Sequence, residues 1–153
     1  MKFTPSKINW FLLWRLPAAY FCGVRVKRIE PLKCETQVTH RWINQNPFHS
    51  LYFAVQAMAA ELSTGALVMQ HIKESGKKIS MLVANQKGSY SKKATGLITF
   101  ECSDGQKVLD AIAQTTETGE GVTFWMISTG KDEAGDVVSI NEFEWRIKLY
   151  TQK

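Results

Sequence analysis

A single carboxylate inside an otherwise apolar segment is the first candidate for chemistry in this chain. Between residues 51 and 69 the polar residues are Gln56, Glu61, Ser63 and Thr64. A helix of this composition is apolar nearly all the way round and must be buried. Unpaired burial of a carboxylate is costly, so Glu61 is either paired in an ordinary core helix or kept for function. Ala57 and Gly65, one turn away on either side, leave room for a ligand beside it.

The segment has recognisable helix boundaries. Asn46 followed by Pro47 predicts an N-cap with proline at the first helical position, Ser50 offers a second cap, and Gly76 is a stop signal. The sequence therefore predicts one long helix with Glu61 near its middle. A membrane-spanning helix is disfavoured, because a central charge costs about 2.5 to 3.5 kcal/mol in a bilayer and the rest of the chain alternates like a β-protein.

Composition indicates one globular domain spanning residues 1–153, large enough for its own core. The net charge of +5 favours an anionic ligand, but no stripe of basic and aromatic residues indicates nucleic-acid binding. The three cysteines are far apart and show neither disulfide nor zinc spacing, and we expect no metal. Reduced cysteines fit a cytoplasmic protein.

Residues 1–22 are predicted to form an N-terminal helical extension. Thr4 and Pro5 supply a cap and a first turn, and Pro17 interrupts the helix later. The apolar run Trp10–Trp14 is five residues long, whereas the apolar core of a signal peptide needs about 7 to 15. A membrane-surface helix is one alternative, but we expect the helix to dock on the body of the protein.

The remaining chain alternates between inward apolar and outward polar residues. The pattern predicts a strand over 33–42, one over 79–84 with a polar continuation to 93, one over 95–102, and a hairpin of strands 122–129 and 137–150. Ser103 or Asp104 can cap a short helix inserted before the hairpin. With a further strand over 23–30, an antiparallel sheet of about six strands must curl around the long helix. The expected class is α+β with a helix as filling.

This order of elements, from about Gly23 to Tyr150, resembles the hotdog-fold superfamily of acyl-CoA thioesterases and dehydratases, in particular the small phenylacetic-acid-type thioesterases. The family pattern has an Asn ahead of the helix and an acid about four turns later. Asn46 and Glu61 match that pattern. The segment from Tyr90 to Gly96 is similar to the family's aromatic, basic and glycine-containing entry into the next strand.

The resemblance implies a homodimer, or a dimer of dimers, with active sites at the subunit interface and coenzyme A as part of the substrate rather than as a cofactor. Glu61 would be the general base or nucleophile, the backbone N–H of Phe53 would help form an oxyanion hole, and Asn46 would orient water or the thioester. Ser80 and Ser63 are candidate hydrogen-bond partners of the carboxylate. The candidate substrate-binding residues are Lys92, Lys93, Tyr90, Phe48 and Tyr52, with Lys87 as a further basic residue.

One departure from the family pattern leaves alternatives open. Many relatives carry His-Gly-Gly at the helix start, where Tyr52, Phe53 and Ala54 stand here. Glycine eases close approach of a substrate carbonyl, so the aromatic residues either wall the pocket or plug it. The alternatives to a thioesterase are a non-catalytic domain that binds acyl-CoA or an acyl carrier, and a 3-hydroxyacyl dehydratase with His49 as its catalytic histidine.

Overall fold

The computed structural model describes residues 3–150. The predicted domain spans 1–153 and the predicted N-terminal extension 1–22; of these, residues 1–2 and 151–153 lie outside the described residues. The helices are α1 Pro5–Arg15, α2 Pro17–Phe21, α3 Phe53–Glu74 and α4 Gly105–Thr118, with a 3-10 turn at Trp42–Asn44. The strands are β1 Arg25–Ile29, β2 Cys34–Thr39, β3 Ile79–Tyr90, β4 Leu97–Cys102, β5 Val122–Lys131 and β6 Val137–Leu149.

The six strands form one antiparallel sheet, as predicted, and their order in the sheet is β1-β2-β4-β5-β6-β3. Alternate residues of β6 point inward: Phe143, Trp145 and Ile147 are buried, whereas Arg146 and Lys148 are exposed. This alternation follows from the twofold period of a strand with one solvated face. The inner face of the sheet covers α3, so the predicted architecture is confirmed.

Hydroxyl groups fasten α3 to the sheet. The Thr36 hydroxyl donates to the Ala59 carbonyl at 2.6 Å, and the hydroxyls of Ser63 and Ser128 are hydrogen-bonded at 2.7 Å. Ser63 is fully buried; its one hydroxyl proton is donated to the Ala60 carbonyl of its own helix, so it accepts from Ser128. Ser63 therefore serves the packing of the helix on β5, and it is not a partner of Glu61.

The long helix starts later than predicted. Asn46 does not cap it: its Oδ1 accepts from the backbone N–H groups of Phe48 at 2.9 Å and Ser50 at 3.2 Å, closing a local turn. Tyr52 remains extended, with ψ of 134°, and the helix begins at Phe53. The side chain that resembled a cap instead organises the loop ahead of the helix.

Two other element ends differ from the prediction. The strand expected to reach Trp42 stops at Thr39, because the Asn44 side chain donates to the Thr39 carbonyl and turns the chain. Asp104 precedes α4, but its carboxylate accepts from the backbone N–H of Ile127 at 2.8 Å rather than capping the helix. In both places a polar side chain, Asn44 or Asp104, is hydrogen-bonded to a backbone group that the sequence pattern did not indicate.

Strand β3 is longer than predicted and lies at one edge of the sheet. The polar continuation after residue 84 remains in the strand to Tyr90 and pairs with β6 along its whole length. A register shift between Val83 and Asn85 interrupts the alternation. Among the described strands only β6 pairs with β3, so the other side of this twelve-residue strand is unpaired.

Helix α1 packs on the body of the protein beside the opposite edge. Its Ile8 and Leu12 are buried, and the expected Thr4 cap accepts from the Lys7 N–H at 3.4 Å. The Asn9 side chain accepts from the Val26 N–H at 2.8 Å and donates to the Val26 carbonyl at 3.0 Å. The side-chain amide of Asn9 thus pairs with the backbone of Val26 as a residue of a neighbouring strand would.

Candidate active site

Glu61 lies in the middle of α3, above a gap left by a glycine. A Cβ atom placed on Gly65 would lie 3.1 Å from Oε1 of Glu61 and 3.2 Å from the ring of Trp145. These distances are tighter than ordinary van der Waals contact. The absence of a side chain at position 65 therefore allows the carboxyl group to lie against the helix, next to the indole of β6.

The surroundings of the carboxyl group are apolar. Among residues 3–150, no side chain forms an ion pair or hydrogen bond with it, and burial alone raises the pKa of Glu61 to about 7. Such a group is partly ionised at neutral pH, which is the condition that suits a general base. The pairing expected if Glu61 belonged to an ordinary core helix is not present in this part of the chain.

Two hydrogen bonds hold the helix turn that carries Glu61. The indole N–H of Trp145 donates to the Thr64 hydroxyl at 2.9 Å, and that hydroxyl donates to the Glu61 carbonyl at 2.8 Å. Trp145 and Thr64 are both buried. The backbone of Glu61 is therefore positioned by β6, while its carboxyl group remains unpaired.

A cavity of about 460 Å³ lies at the N-terminal end of α3 and gathers most of the predicted substrate contacts. Its lining includes Asn46, Phe48, Tyr52, Phe53, Gln56, Tyr90, Lys92 and Lys93. Phe53 packs edge-to-face against Tyr52, with ring centroids 5.0 Å apart, and against Tyr90 at 5.8 Å. The aromatic side chains of Tyr52, Phe53 and Tyr90 thus form one wall of this cavity.

The first turn of α3 has backbone donors at this cavity. No side chain caps the helix, and the Tyr52 carbonyl accepts from the N–H groups of Val55 and Gln56. The N–H groups of Phe53 and Ala54 are the first two of the helix and have no acceptor within it. They are therefore the donors that this helix offers to a developing negative charge.

The two lysines of the cavity differ in availability. Lys92 donates to Asp132 at 2.7 Å and to Asp136 at 2.8 Å, and these carboxylates, Asp132 first, raise the pKa of Lys92. Lys93 lies 3.4 Å from the Phe48 carbonyl and has no carboxylate partner among the described residues. Lys87 stacks over Trp125 at 4.5 Å and does not line the cavity. Lys93 is the cation best placed for a phosphate.

Ser80 does not lie beside Glu61. It pairs with Lys148 on the outer face of the sheet, and its hydroxyl donates to the Lys148 carbonyl at 3.2 Å. Ser80 is therefore not the predicted hydrogen-bond partner of the Glu61 carboxylate, because the strand alternation directs its side chain away from α3. His49, the dehydratase candidate, is an exposed loop residue with φ of 58°.

The comparisons with known proteins agree with this fold. The family model described as "Domain of unknown function (DUF4442)" matches residues 8–147. The chain belongs to the DUF4442 family. A comparison with curated protein sequences finds no match.

Solved structures similar to this DUF4442 chain have the same architecture. A Pseudomonas aeruginosa protein of unknown function, described as a probable thioesterase, superposes with a TM-score of 0.82 at 20% identity, covering 97% of this chain and 99% of that one. A thioesterase from Haemophilus influenzae gives 0.75 at 9% identity, with coverage of 99% and 95%. A mutant thioesterase from Pseudomonas aeruginosa gives 0.72 at 9%, with coverage of 98% and 97%. The predicted hotdog fold is confirmed.

One residue of the DUF4442 cavity was missed by the sequence analysis. Gln56 is 4% exposed, and its Nε2 donates to the Leu51 carbonyl at 3.3 Å. Its Oε1 is buried and has no partner among the described residues. An amide within an apolar helix was the available signal, but the sequence did not show which side of the helix faced the cavity.

Residues 3–150 offer neither a cluster of metal ligands nor a membrane-spanning helix. No three or more His, Cys, Asp or Glu side chains are grouped so that they could hold a metal ion. In the same part of the DUF4442 chain, every helix is too short or too polar to cross a membrane.

Proposed function

We propose that this DUF4442 protein hydrolyses acyl-CoA thioesters, with Glu61 as the general base. The observation that carries the proposal is the unpaired carboxyl group of Glu61, whose pKa burial raises to about 7, on the side of α3 that the sheet leaves partly open. Unpaired burial of an acid is costly, so its retention at a ligand-accessible position is explained by use in a reaction.

The proposed reaction uses one water molecule. The Glu61 carboxylate takes a proton from water while the water oxygen forms a bond to the thioester carbonyl carbon, and the carbonyl oxygen becomes negative. Backbone N–H groups at the start of α3 stabilise that oxygen. When the intermediate collapses, the carbon–sulfur bond breaks and the departing thiolate takes the proton from Glu61. The products are a carboxylic acid and coenzyme A.

The spacing along α3 supports a reaction centre that is built from two copies of the chain. Eight residues separate Phe53 from Glu61, which is about 12 Å at 1.5 Å per residue. A single thioester carbonyl cannot contact both groups of one helix. We propose a homodimer in which the Phe53 N–H of one copy and the Glu61 of the other act on the same substrate. The unpaired edge of β3 supplies a surface for such pairing.

Lys93 is the proposed contact for coenzyme A phosphates. It is exposed at the rim of the N-terminal cavity and is not neutralised by a carboxylate of the described chain. Tyr90 is a second wall of this cavity, with its hydroxyl donating to Asn141 at 3.0 Å. The proposed path of the substrate runs from this cavity of one copy towards Glu61 of the other.

A second candidate function is acyl-CoA binding without turnover. The observation favouring it is the side chain of Phe53, which is 54% exposed at the helix start, where many hotdog thioesterases have glycine. Under this alternative the aromatic wall excludes the carbonyl from the helix N–H groups. The fold is compatible with either function.

The deciding experiment measures free-thiol release from short, long and aromatic acyl-CoAs. We expect turnover by the wild type and a loss of about a hundredfold or more in Glu61→Gln, the usual scale for a lost general base. Glu74→Gln, an exposed acid at the end of the same helix, is the matched control and should retain full turnover. Saturable binding with no thiol release from any substrate would favour the non-catalytic alternative.

A further inference from the structure

Helix α1 is apolar on two opposite faces, and the protein covers one of them. Ile8 and Leu12 are buried against the body of the chain. Trp10 is 64% exposed and Trp14 is 68% exposed, and at about 3.6 residues per turn both lie on the side away from Ile8 and Leu12. A helix that is apolar all round is normally buried. The outer face of α1 therefore lacks a cover within residues 3–150.

The exposed apolar surface extends beyond the two tryptophans. The rings of Trp10 and Trp14 pack edge-to-face, with their centroids 6.0 Å apart. Leu16 and Phe21, at the two ends of α2, are exposed as well. We call these four side chains the α1 surface. Beside it, α1 borders an apolar groove of about 690 Å³ that reaches the last turns of α3 and the start of β3. Large apolar surfaces that remain exposed mark interaction sites.

This exposure does not come from a loosely held helix. Besides the burial of Ile8 and Leu12, the Asn9 side chain is hydrogen-bonded to both backbone groups of Val26. Just ahead of α1, the ring of Phe3 lies 5.2 Å from the ammonium group of Lys73 in α3. Turning the tryptophans inward would break these contacts, so the fold holds the α1 surface towards solvent.

Positive charge is concentrated in the same part of the chain. The first 29 residues contain six of the 19 basic residues and none of the 14 acidic ones. Lys7, Arg15 and Lys27 are exposed and have no carboxylate partner within residues 3–150. The rest of the chain is close to neutral. The net charge of +5 therefore originates around the α1 surface.

We propose that the α1 surface binds an anionic lipid surface, with α1 lying in the plane of the headgroups. Tryptophan is enriched where hydrocarbon meets water, because its ring is apolar and its N–H is polar. Basic side chains beside an apolar helical face are attracted by acidic headgroups. Trp10, Trp14, Lys7 and Arg15 supply both kinds of contact from one helix. Such binding is independent of the reaction proposed for Glu61.

A second copy of the chain fits the α1 surface less well. Two copies that paired symmetrically through α1 would bring the same residues of each chain together. Lys7 and Arg15 of one copy would then lie close to Lys7 and Arg15 of the other, and like charges at an interface repel. No acidic residue of the first 29 offsets this repulsion. A layer of acidic headgroups offers the complementary charge.

Flotation with lipid vesicles tests the proposal on the full chain. We expect binding to phosphatidylcholine vesicles that contain about one third phosphatidylglycerol, and binding weaker by about tenfold or more to phosphatidylcholine alone. High salt should reduce the difference between the two compositions, because it screens the attraction to the acidic headgroups.

Trp14→Ala should weaken binding to the anionic vesicles by about tenfold, because the apolar ring no longer leaves water on binding. Leu82→Ala is the matched control. Leu82 is 55% exposed and pairs with Arg146 on the outer face of the sheet, so its loss should leave vesicle binding unchanged. Both side chains are exposed, and circular dichroism should show the same fold in both variants.

Arg15→Gln should weaken binding to the anionic vesicles by about fivefold at low salt and by less at high salt. Lys148→Gln is its matched control, since Lys148 is an exposed cation on the outer face of the sheet. Equal losses in these two variants would show that net charge, and not the position of α1, determines binding.

Three results would overturn the proposal. The first is a wild-type protein that binds neither vesicle composition. The second is equal binding to anionic vesicles by the wild type and the double variant Trp10→Ala/Trp14→Ala. The third comes from sedimentation velocity without lipid: a wild-type oligomer that dissociates in the double variant would assign the α1 surface to a second chain. Thiol release does not enter these measurements, so they remain decisive whatever the protein hydrolyses.

Discussion

The two ends of α3 present opposite kinds of surface. The N-terminal end borders a cavity that is lined by Lys93, by an aromatic wall and by the loop that precedes α3. The first backbone N–H groups of the helix are not capped there. At its C-terminal end, a larger groove is lined almost entirely by apolar side chains of α1, α3 and β3. An acyl-CoA has the same asymmetry, with a charged nucleotide at one end and a hydrocarbon at the other. The contrast separates the end of α3 proposed to contact coenzyme A from an end that is largely apolar.

Removing one backbone N–H at the N-terminal end of α3 should have the largest effect on kcat. Phe53 occupies the first helical position, where proline is tolerated, and the extended Tyr52 before it is compatible with a following proline. Phe53→Pro deletes the N–H that we assign to the oxyanion and should lower kcat by about 10² to 10³-fold. Steady-state thiol release measures this change.

Phe53→Ala is the matched control, because it removes the same ring and keeps the N–H. It should retain most of the turnover, or raise it if the ring obstructs the carbonyl. Equal losses in the proline and alanine variants would show that the ring, and not the N–H, matters at this end of α3.

The carboxyl group of Glu61, between the two ends of α3, should make the free energy of unfolding depend on pH. Its pKa is about 7 in the folded chain against 4.5 ordinarily, so between these values the folded state holds a proton that the unfolded state has lost. Stability from this group is therefore fully present below pH 4.5 and is lost as pH rises towards 7. Glu61→Gln should be more stable than wild type by about 3 kcal/mol above pH 7.

Urea unfolding at several pH values measures that difference. The gap between Glu61→Gln and wild type should narrow as the pH falls from 7 and close below pH 4.5, where the Glu61 carboxyl group becomes protonated in the unfolded state as well. A gap that stays constant from pH 4 to 8 would mean that the variant stabilises for a reason unrelated to ionisation.

The two lysines of the polar end should give the smallest effects. Lys93→Ala should raise KM for acyl-CoA severalfold, more at low salt than at high salt, because a phosphate contact is screened by ions. Lys92→Ala should leave KM nearly unchanged, since its ammonium group is already held by Asp132 and Asp136. Steady-state kinetics at two ionic strengths compare them, and a larger change for Lys92→Ala would reverse the assignment.

The fold was predictable because the spacing of apolar residues along the sequence is periodic. Alternation in the strands and an apolar helix flanked by breakers specify a sheet curled around a helix. The start of α3 was not predictable from the same signals, since an Asn side chain ahead of a helix can equally close a turn. Asn46 does the latter, and only the hydrogen bonds to Phe48 and Ser50 distinguish the two.

The site was predictable only in part, because its contacts join distant residues. Glu61 stands out as an acid in an apolar run, but the gap at Gly65 becomes meaningful only when Trp145, eighty residues later in the chain, is seen beside it. Lys92 looked available until the turn between β5 and β6 brought two carboxylates to it. Ser80 was expected beside Glu61, but the strand alternation places it on the outer face of the sheet.

The amide of Asn9 on Val26 limits how this sheet can grow. By occupying the N–H and the carbonyl of Val26, it interrupts the β1 edge as a template for another strand. Among the described strands, β3 has the longer edge that no side chain covers in this way. If two chains pair through β3, as proposed, that edge of both molecules is used at once, and further growth would have to start from the interrupted β1 edge.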